Sequence, residues 1–114
     1  MRHDPEICGV CARSATGISY APQGRQNNPI MWLCDDLGCI KIARASYDMK
    51  QDQFTRIESM ASGDGGMEGG MYLDTIGKTD LAELSPDEYF EFCRRLVAGY
   101  RKGLAKRTAE EAPF

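Results

Sequence analysis

Four cysteines in two close pairs constrain the fold of this 114-residue chain more than any other feature. Two residues separate Cys8 from Cys11, four separate Cys34 from Cys39, and 22 residues lie between the pairs. The two-residue spacing lets both thiolates of a pair bind one ion at about 2.3 Å, and the four-residue spacing suits a turn that runs into a helix. We therefore predict one structural zinc ion, bound tetrahedrally by Cys8, Cys11, Cys34 and Cys39.

Other roles for these cysteines fit the sequence less well. Two disulfides would require an oxidising compartment, but the first residues lack the apolar core of a signal peptide, and Cys93 would be left over. A thioredoxin-like redox pair would use only Cys8 and Cys11, and iron–sulfur proteins have different spacings. We therefore expect a reducing, cytoplasmic environment, with Cys93 as a small buried residue of a helix.

Catalytic side chains are scarce in this sequence. His3 is the only histidine, which excludes nuclease and protease centres that need two histidines. The chain also lacks the His-x-Glu and Pro-Cys-x-x-Cys motifs of zinc deaminases. Because four thiolates leave zinc no open coordination position, we expect a protein that is not an enzyme. Replacement of one cysteine ligand by His3 stays an alternative.

The residues around the second cysteine pair predict a hairpin followed by a helix. Residues 17–20 and 30–33 are typical of two short strands joined by a polar, proline-bounded loop. From Leu37 to Met60, apolar residues recur at three-to-four spacing, which indicates one amphipathic helix. Asp35 and Asp36 suit the start of that helix, because carboxylates bind its exposed N–H groups.

Glycine and capping residues divide the second half of the chain. Five of the nine residues from Ser62 to Gly70 are glycines, which predicts a flexible linker. Ser85 and Glu88 form a capping box around Pro86, which predicts the start of the last helix. The apolar stripe of this helix, which we expect to be buried, comprises Tyr89, Cys93, Leu96, Val97, Tyr100 and Leu104.

These signals together predict an α+β fold, with a small treble-clef-like zinc knuckle and β-hairpin followed by two main α-helices. The expected organisation is a zinc knuckle, hairpin and first helix over 1–62, a linker over 63–70, a helical part over 71–106 that packs on the first, and a frayed tail over 107–114.

Charge is unevenly distributed along the chain, although its net charge is only −3. Residues 1–60 are neutral, residues 61–92 carry −7, and residues 93–114 carry +4. A wholly basic nucleic-acid-binding protein would look different. No apolar run approaches the roughly 18 residues of a membrane span, so we expect no membrane partner.

Two charged surfaces are therefore candidates for partner binding. We expect a protein partner to contact the acidic stretch together with the polar hairpin loop, because charge of one sign steers encounter. The bases of the last helix could instead bind the phosphates of a nucleic acid, or simply suit the helix C-terminus. The candidate residues of both surfaces are Arg25, Asp74, Glu83, Asp87, Arg94, Arg101 and Lys102.

The order of a Cys-x-x-Cys pair, a hairpin and a second pair opening a helix resembles the treble-clef plan. The chain also resembles a family of small, uncharacterised phage and prophage proteins at Cys8–Cys11, Trp32–Cys39, Gly70–Ala82 and Pro86–Phe90. This resemblance implies a phage or prophage origin, and hence the cytoplasm of a bacterial host cell, but no established activity.

Phage accessory proteins of this size commonly attach to host machinery. By that analogy, the expected function is binding to a host protein or protein complex, with inhibition of a host defence complex as its specific form. Nucleic-acid binding by a treble clef in phage DNA metabolism or regulation is the alternative. We expect a monomer or a small homo-oligomer, since apolar residues left exposed in a monomer would mark an interface.

Overall fold

The structure is a computed structural model that describes residues 2–22 and 29–111. Over these residues the chain forms an α+β fold, which confirms the predicted fold class. An antiparallel hairpin precedes three α-helices, and a 3-10 turn (Leu81–Glu83) lies between the last two helices. The elements are β1 (Ile18–Tyr20), β2 (Met31–Leu33), α1 (Leu37–Tyr47), α2 (Gln51–Ile76) and α3 (Pro86–Glu111). None of the helices in this part of the chain is long and apolar enough to cross a membrane.

The N-terminal part, which we call the cysteine module (2–47), is built on one small core. The two strands pair with Ile18 opposite Leu33 and Tyr20 opposite Met31. Since side chains alternate along a strand, Met31 and Leu33 point to the same side of β2. Both are buried there, in a cluster that contains the four paired cysteines together with Val10, Met31, Leu33 and Ala43.

The prediction of one helix from Leu37 to Met60 is wrong, because the structure has two helices over this range. The N-cap Asp36 begins α1 by accepting a hydrogen bond from the Gly38 N–H at 2.8 Å, as predicted for this position. The helix ends at Tyr47, and Lys50 has an extended backbone before α2 begins. A periodic apolar pattern continues across this break, so the pattern alone could not reveal it.

Arg2 supplies a physical reason for the break between α1 and α2. Its guanidinium donates hydrogen bonds to the carbonyl oxygens of Ser46 and Met49, the latter at 3.1 Å. It also lies 4.4 Å above the ring of Phe54 in α2. The last carbonyls of a helix need such partners when the helix stops. A side chain from the N-terminus therefore stabilises the point where the two helices meet.

The prediction of a flexible linker over residues 63–70 is wrong. This segment lies inside α2, a continuous helix of 26 residues that packs along α3. A Cβ atom added at Gly65 would lie 2.5 Å from the Leu96 carbonyl oxygen, and one at Gly99 would lie 3.1 Å from the Gly65 Cα. The two helices therefore approach closely because glycines line both sides of the contact, which we call the glycine seam: Gly65 and Gly69 on α2, and Gly99 and Gly103 on α3.

Local signals define the turn between α2 and α3. Gly77 ends α2 in the left-handed conformation at φ 69°, which glycine adopts without steric cost. The Glu88 N–H donates to Ser85 Oγ at 3.2 Å, and the Ser85 N–H donates to the Glu88 carboxylate at 2.9 Å. The predicted capping box is thus confirmed. Lys78 bridges the turn by pairing with Glu88 at 2.6 Å.

The prediction of a frayed tail from residue 107 is wrong for residues 107–111, which continue α3. Arg107 pairs with Asp64 of α2 at 2.8 Å, and Arg56 of α2 pairs with Glu111 at 2.6 Å. These ion pairs join the end of α3 to α2, so the last turn has partners that a sequence pattern cannot show. Residues 112–114 lie outside the described residues.

The apolar stripe predicted to be buried on α3 is only partly covered. Leu104 is 1% exposed and packs in a second cluster with Met49, Phe54, Ile57 and Ala61. In contrast, Tyr89 is 47% and Val97 is 42% exposed, so their predicted burial is wrong. Cys93, Leu96 and Tyr100 are half-buried. The cysteine module reaches only the end of α3 that carries Leu104, so at the other end α2 alone packs on α3 within the described residues and leaves Tyr89 and Val97 exposed.

The two long helices form an arm that extends past the cysteine module, in a molecule measuring 55 by 25 by 22 Å. We define the helical arm as α2, the connecting turn and α3. Between residues 62 and 98, the fully buried residues are Gly65 and Gly69 alone. The outer half of the arm is therefore a pair of helices that bury only the seam between them.

The glycine seam yields a matched pair of stability predictions. Gly65→Ala should lower the free energy of unfolding by about 1–3 kcal/mol, because its methyl group meets the backbone of α3. Gly66→Ala should raise it by about 0.5–1 kcal/mol, because nothing lies within 4 Å and alanine favours a helix. Chemical denaturation measures both, and equal effects at the two positions would contradict the seam.

Candidate metal centre

The first cysteine pair lies on a tight turn that its own backbone closes. Ile7 and Ser14 form an isolated antiparallel bridge. The Cys8 N–H donates to the Arg13 carbonyl at 2.7 Å, and the Ala12 N–H donates to the Cys8 carbonyl at 3.0 Å. Ala12 takes the left-handed conformation with φ 66°. This turn brings Cys8 and Cys11 to the same side, facing the hairpin.

The second pair is delivered by β2 and by the first turn of α1. Cys34 directly follows β2, and Cys39 is the third residue of α1. The Gly9 N–H donates to the Trp32 carbonyl at 2.8 Å, which joins the first turn to β2. A Cβ atom at Gly9 would clash with the Met31 side chain, so glycine allows this close approach. The hairpin thus places the two pairs together although 22 residues separate them.

The four sulfur atoms form one buried group. The Sγ atoms of Cys8, Cys11, Cys34 and Cys39 all lie within 4.8 Å of one another, and all four residues are buried. The Cys11 and Cys34 sulfurs are 3.7 Å apart, far beyond the length of a disulfide bond of about 2.05 Å. A tetrahedron with zinc–sulfur bonds of about 2.3 Å has edges of about 3.8 Å. The four cysteines could therefore hold a metal ion.

The negative charge of closely spaced cysteine thiolates favours a bound cation. Hydrogen bonds from the Cys11 and Cys39 thiols stabilise the Cys8 thiolate and lower the pKa of Cys8 far below its ordinary value. The pKa of Cys39 is raised, first by its hydrogen bonds with Cys11 and Cys8 and then by burial. Several thiolates this close repel one another in a low-dielectric site, and a bound dication offsets that repulsion.

His3 lies outside this group. Its Nδ1 atom is 3.1 Å from the Ile30 carbonyl oxygen, and its ring packs edge-on against Tyr47 at 5.8 Å. Within residues 2–22 and 29–111, the four cysteines are the one cluster of three or more His, Cys, Asp or Glu side chains that could share an ion. The alternative in which His3 replaces a cysteine therefore has no support in the geometry.

Comparisons with protein-family models, with curated proteins and with solved structures found no match for this chain. The cysteine group and the surfaces of the arm are therefore the features of the molecule that indicate a function.

The predicted partner-binding acids lie together at the outer end of the arm. Asp74 is in the last turn of α2, Glu83 is in the 3-10 turn and Asp87 is in the first turn of α3. All three are exposed, and none forms an ion pair with another described residue. We call these three residues the acidic tip. Asp64 is not part of this surface, because Arg107 binds it and lowers its pKa.

The predicted basic residues lie further along α3, towards the cysteine module. Arg94 already pairs with Glu91 at 2.7 Å, whereas Arg101 and Lys102 are exposed and form no ion pair with a described residue. Acid and base thus lie towards opposite ends of the arm. The predicted contribution of Arg25 falls outside the described residues.

Two residues that shape the site carry no signal in the sequence. Ala12 adopts a backbone conformation that usually requires glycine or asparagine. Arg2 acts on α1 across 44 and 47 residues of sequence, through Ser46 and Met49. Neither role follows from a motif or a spacing, so sequence reasoning could not find them.

The strained position in the cysteine turn gives a testable outcome. Ala12→Gly should raise the free energy of unfolding by about 1 kcal/mol, because glycine removes the steric cost of φ 66°. Ala15→Gly is the matched control at negative φ and should destabilise the protein slightly, through the added flexibility of the unfolded chain. Thermal unfolding of both variants at one zinc concentration measures the difference. A destabilising Ala12→Gly would contradict the assigned conformation.

Proposed function

We propose that this chain is a non-catalytic zinc protein of the phage type that acts by binding another protein. The observation that carries the proposal is the helical arm, which the cysteine module supports at one end and which exposes large apolar side chains along its outer half. Phe90 is 56% exposed there, beside Tyr89 and Val97. Exposed apolar patches on a small protein commonly mark interaction sites.

The metal in this proposal is one structural zinc ion held by Cys8, Cys11, Cys34 and Cys39. The close sulfur spacing and the all-thiolate donor set suit zinc, which prefers four tetrahedral ligands of this kind. Such a closed site has no position for a substrate or a water molecule. The zinc then acts by holding the two cysteine pairs together, and binding takes place elsewhere.

The order of elements supports a treble-clef assignment for the cysteine module. A cysteine turn, a two-stranded hairpin and a helix that carries the last ligand follow one another. Together with the sequence resemblance, this order supports a phage or prophage protein whose partner is a host protein in the bacterial cytoplasm. Inhibition of a host defence complex is the specific form of binding that we propose.

The acidic tip is the surface that we propose for the host partner. Its carboxylates are exposed and carry no neutralising ion pair with a described residue, so their field reaches an approaching basic surface. Asp74 lies on the same face of α2 as Gly66 and Gly70, which is the face turned away from α3. A Cβ atom added at either glycine would have no neighbour within 4 Å. A partner can therefore approach the α2 backbone closely beside this charge.

A nucleic-acid-binding function is the second candidate, and one observation favours it. Arg101, Lys102 and Lys106 are exposed on α3 close to the cysteine module, in an arrangement that could contact successive phosphates. Binding of this kind weakens steeply as salt rises. If Lys102→Glu with Lys106→Glu abolishes a salt-sensitive interaction with DNA or RNA, this candidate replaces protein binding.

Metal analysis tests the zinc proposal directly. Protein purified without chelator should contain one zinc per chain, and Cys34→Ser should lose the metal and unfold the cysteine module, because the ligands provide much of its core. Cys93→Ser is the matched control, since Cys93 is half-buried on α3 and outside the sulfur group; it should keep the zinc. A zinc content near zero, or disulfides among the four cysteines, would rule the proposal out.

Charge reversal tests the partner surface. The double variant Asp74→Lys, Glu83→Lys should weaken capture of the host partner by at least about tenfold, because it replaces attraction by repulsion. Zinc content and melting temperature should stay near those of the wild type. Glu110→Lys, which makes the charge change of one of these substitutions at the other end of the arm, is the control and should leave capture unchanged. Unaltered capture by the tip variant would exclude the acidic tip.

A further inference from the structure

One face of α3 is apolar along its whole length, but the rest of the described chain covers only the half of this face near the cysteine module. Apolar residues of α3 recur at alternating steps of three and four, the pattern of a coiled-coil seam, at Phe90, Cys93, Val97, Tyr100 and Leu104. The cysteine module and the start of α2 bury Leu104 to 1% exposure, whereas Phe90 stays 56% and Val97 42% exposed. We call Phe90, Cys93 and Val97 the open seam.

The charges beside the open seam have a distinct order. Asp87, Arg94 and Arg101 are spaced seven residues apart, so they lie along one flank of the seam. Glu91 contacts Arg94 at 2.7 and 2.9 Å and Arg95 at 2.8 Å, so its carboxylate offsets only part of the positive charge of Arg94. The flank is therefore negative at the outer end of the arm, weakly positive in the middle and positive towards the cysteine module. Such an order attracts a copy of itself that runs in the opposite direction.

We propose that the open seam binds the open seam of a second copy of this chain, with the two α3 helices antiparallel about a two-fold axis at Arg94. A residue then faces the position equally far on the other side of the axis. Asp87, seven residues before Arg94, meets Arg101 of the second copy, seven residues after it. The symmetry makes this ion pair twice, which is the usual result of a closed two-fold interface.

The same two-fold axis also brings the exposed apolar residues of the two copies together. Phe90, four residues before Arg94, lies beside Val97 of the second copy, three residues after it, so the two exposed side chains cover each other. Cys93 lies next to the axis, where its small side chain lets the helices approach. Arg94 meets its own copy at the axis, and the Glu91 carboxylate, which each Arg94 shares with Arg95, reduces the repulsion between them.

This inference goes beyond the proposed function: it assigns the exposed Phe90 and Val97 to a second copy and leaves Asp74 and Glu83 of the acidic tip for the host partner. Asp74 lies on the face of α2 turned away from α3, as the open space around Gly66 and Gly70 shows. The dimer would therefore present two copies of Asp74 and Glu83 at opposite ends of one antiparallel assembly. Host-partner capture and self-association are separate measurements, so either can fail without the other.

A charge-swap experiment tests the proposed pairing. Analytical ultracentrifugation of the zinc-loaded full chain, over micromolar to millimolar concentrations, gives the dimer dissociation constant. Asp87→Lys alone and Arg101→Glu alone should each raise this constant by at least about tenfold, because each places like charges together twice. The double variant Asp87→Lys, Arg101→Glu should restore it to within about threefold of the wild type, because the pair re-forms with reversed signs.

Two controls distinguish the pairing from general charge effects and from misfolding. Combining Asp87→Lys with Lys102→Glu makes the same total change of charge one residue away, off the proposed flank, and should not restore the dimer. Val97→Asp should give a monomer that keeps its zinc and its helical circular dichroism. Helical circular dichroism and zinc content of each single variant, compared with those of the wild type, show whether that variant still folds.

Several results would overturn the proposal. One is a wild type that stays monomeric at every concentration, and another is a dimer whose dissociation constant neither single variant changes. A monomer whose open seam instead captures a different protein, with that capture lost in Val97→Asp, would assign the seam to another occupant and equally refute a second copy.

Discussion

The cysteine module holds together through the convergence of four sulfur atoms. Among the described residues, its buried cluster contains the four cysteines and four other residues, namely Val10, Met31, Leu33 and Ala43. A core this small cannot offset the entropy of ordering a turn, a hairpin and a helix by apolar burial alone. The convergence of the four sulfurs therefore decides whether these elements come together. The module in turn covers the inner end of α3 around Leu104, so the attachment of the arm depends on it as well.

The arm is held together in a different way, because its two helices contact each other at glycines, which have no side chains. Glycines on both helices let backbone approach backbone, which strengthens dispersion contacts along the seam. Each helical glycine costs conformational entropy, and the glycines that face away from the seam have no compensating contact within the described chain. Ion pairs and helix caps therefore stabilise the two ends of the arm, and little apolar core lies between these ends. Such a construction leaves one face of α3 available for another helix.

The helical arm carries both the separated charges and the exposed apolar residues, and the two proposals depend on these two features. The acidic tip and the basic inner half of α3 are separated along one helical axis, so their field favours antiparallel neighbours. The open seam runs between them on one side, while Asp74 lies on another. A single arm can thus carry a self-association surface and a partner surface that have only Asp87 in common. The cysteine module then determines where the covered part of α3 ends.

Local sequence by itself determined the features that depend on nearby residues. The cysteine spacing predicted which four side chains come together, and Asp36 and the Ser85–Glu88 box predicted helix starts that the structure contains. Only the tertiary structure decided the rest. The glycine run reads as a linker because glycine disfavours an isolated helix, but packing against α3 outweighs that preference. The α1–α2 break depends on Arg2, far away in sequence, and the burial of α3 depends on how far the cysteine module reaches. Each of these is set by contacts between distant segments, which a local pattern does not encode.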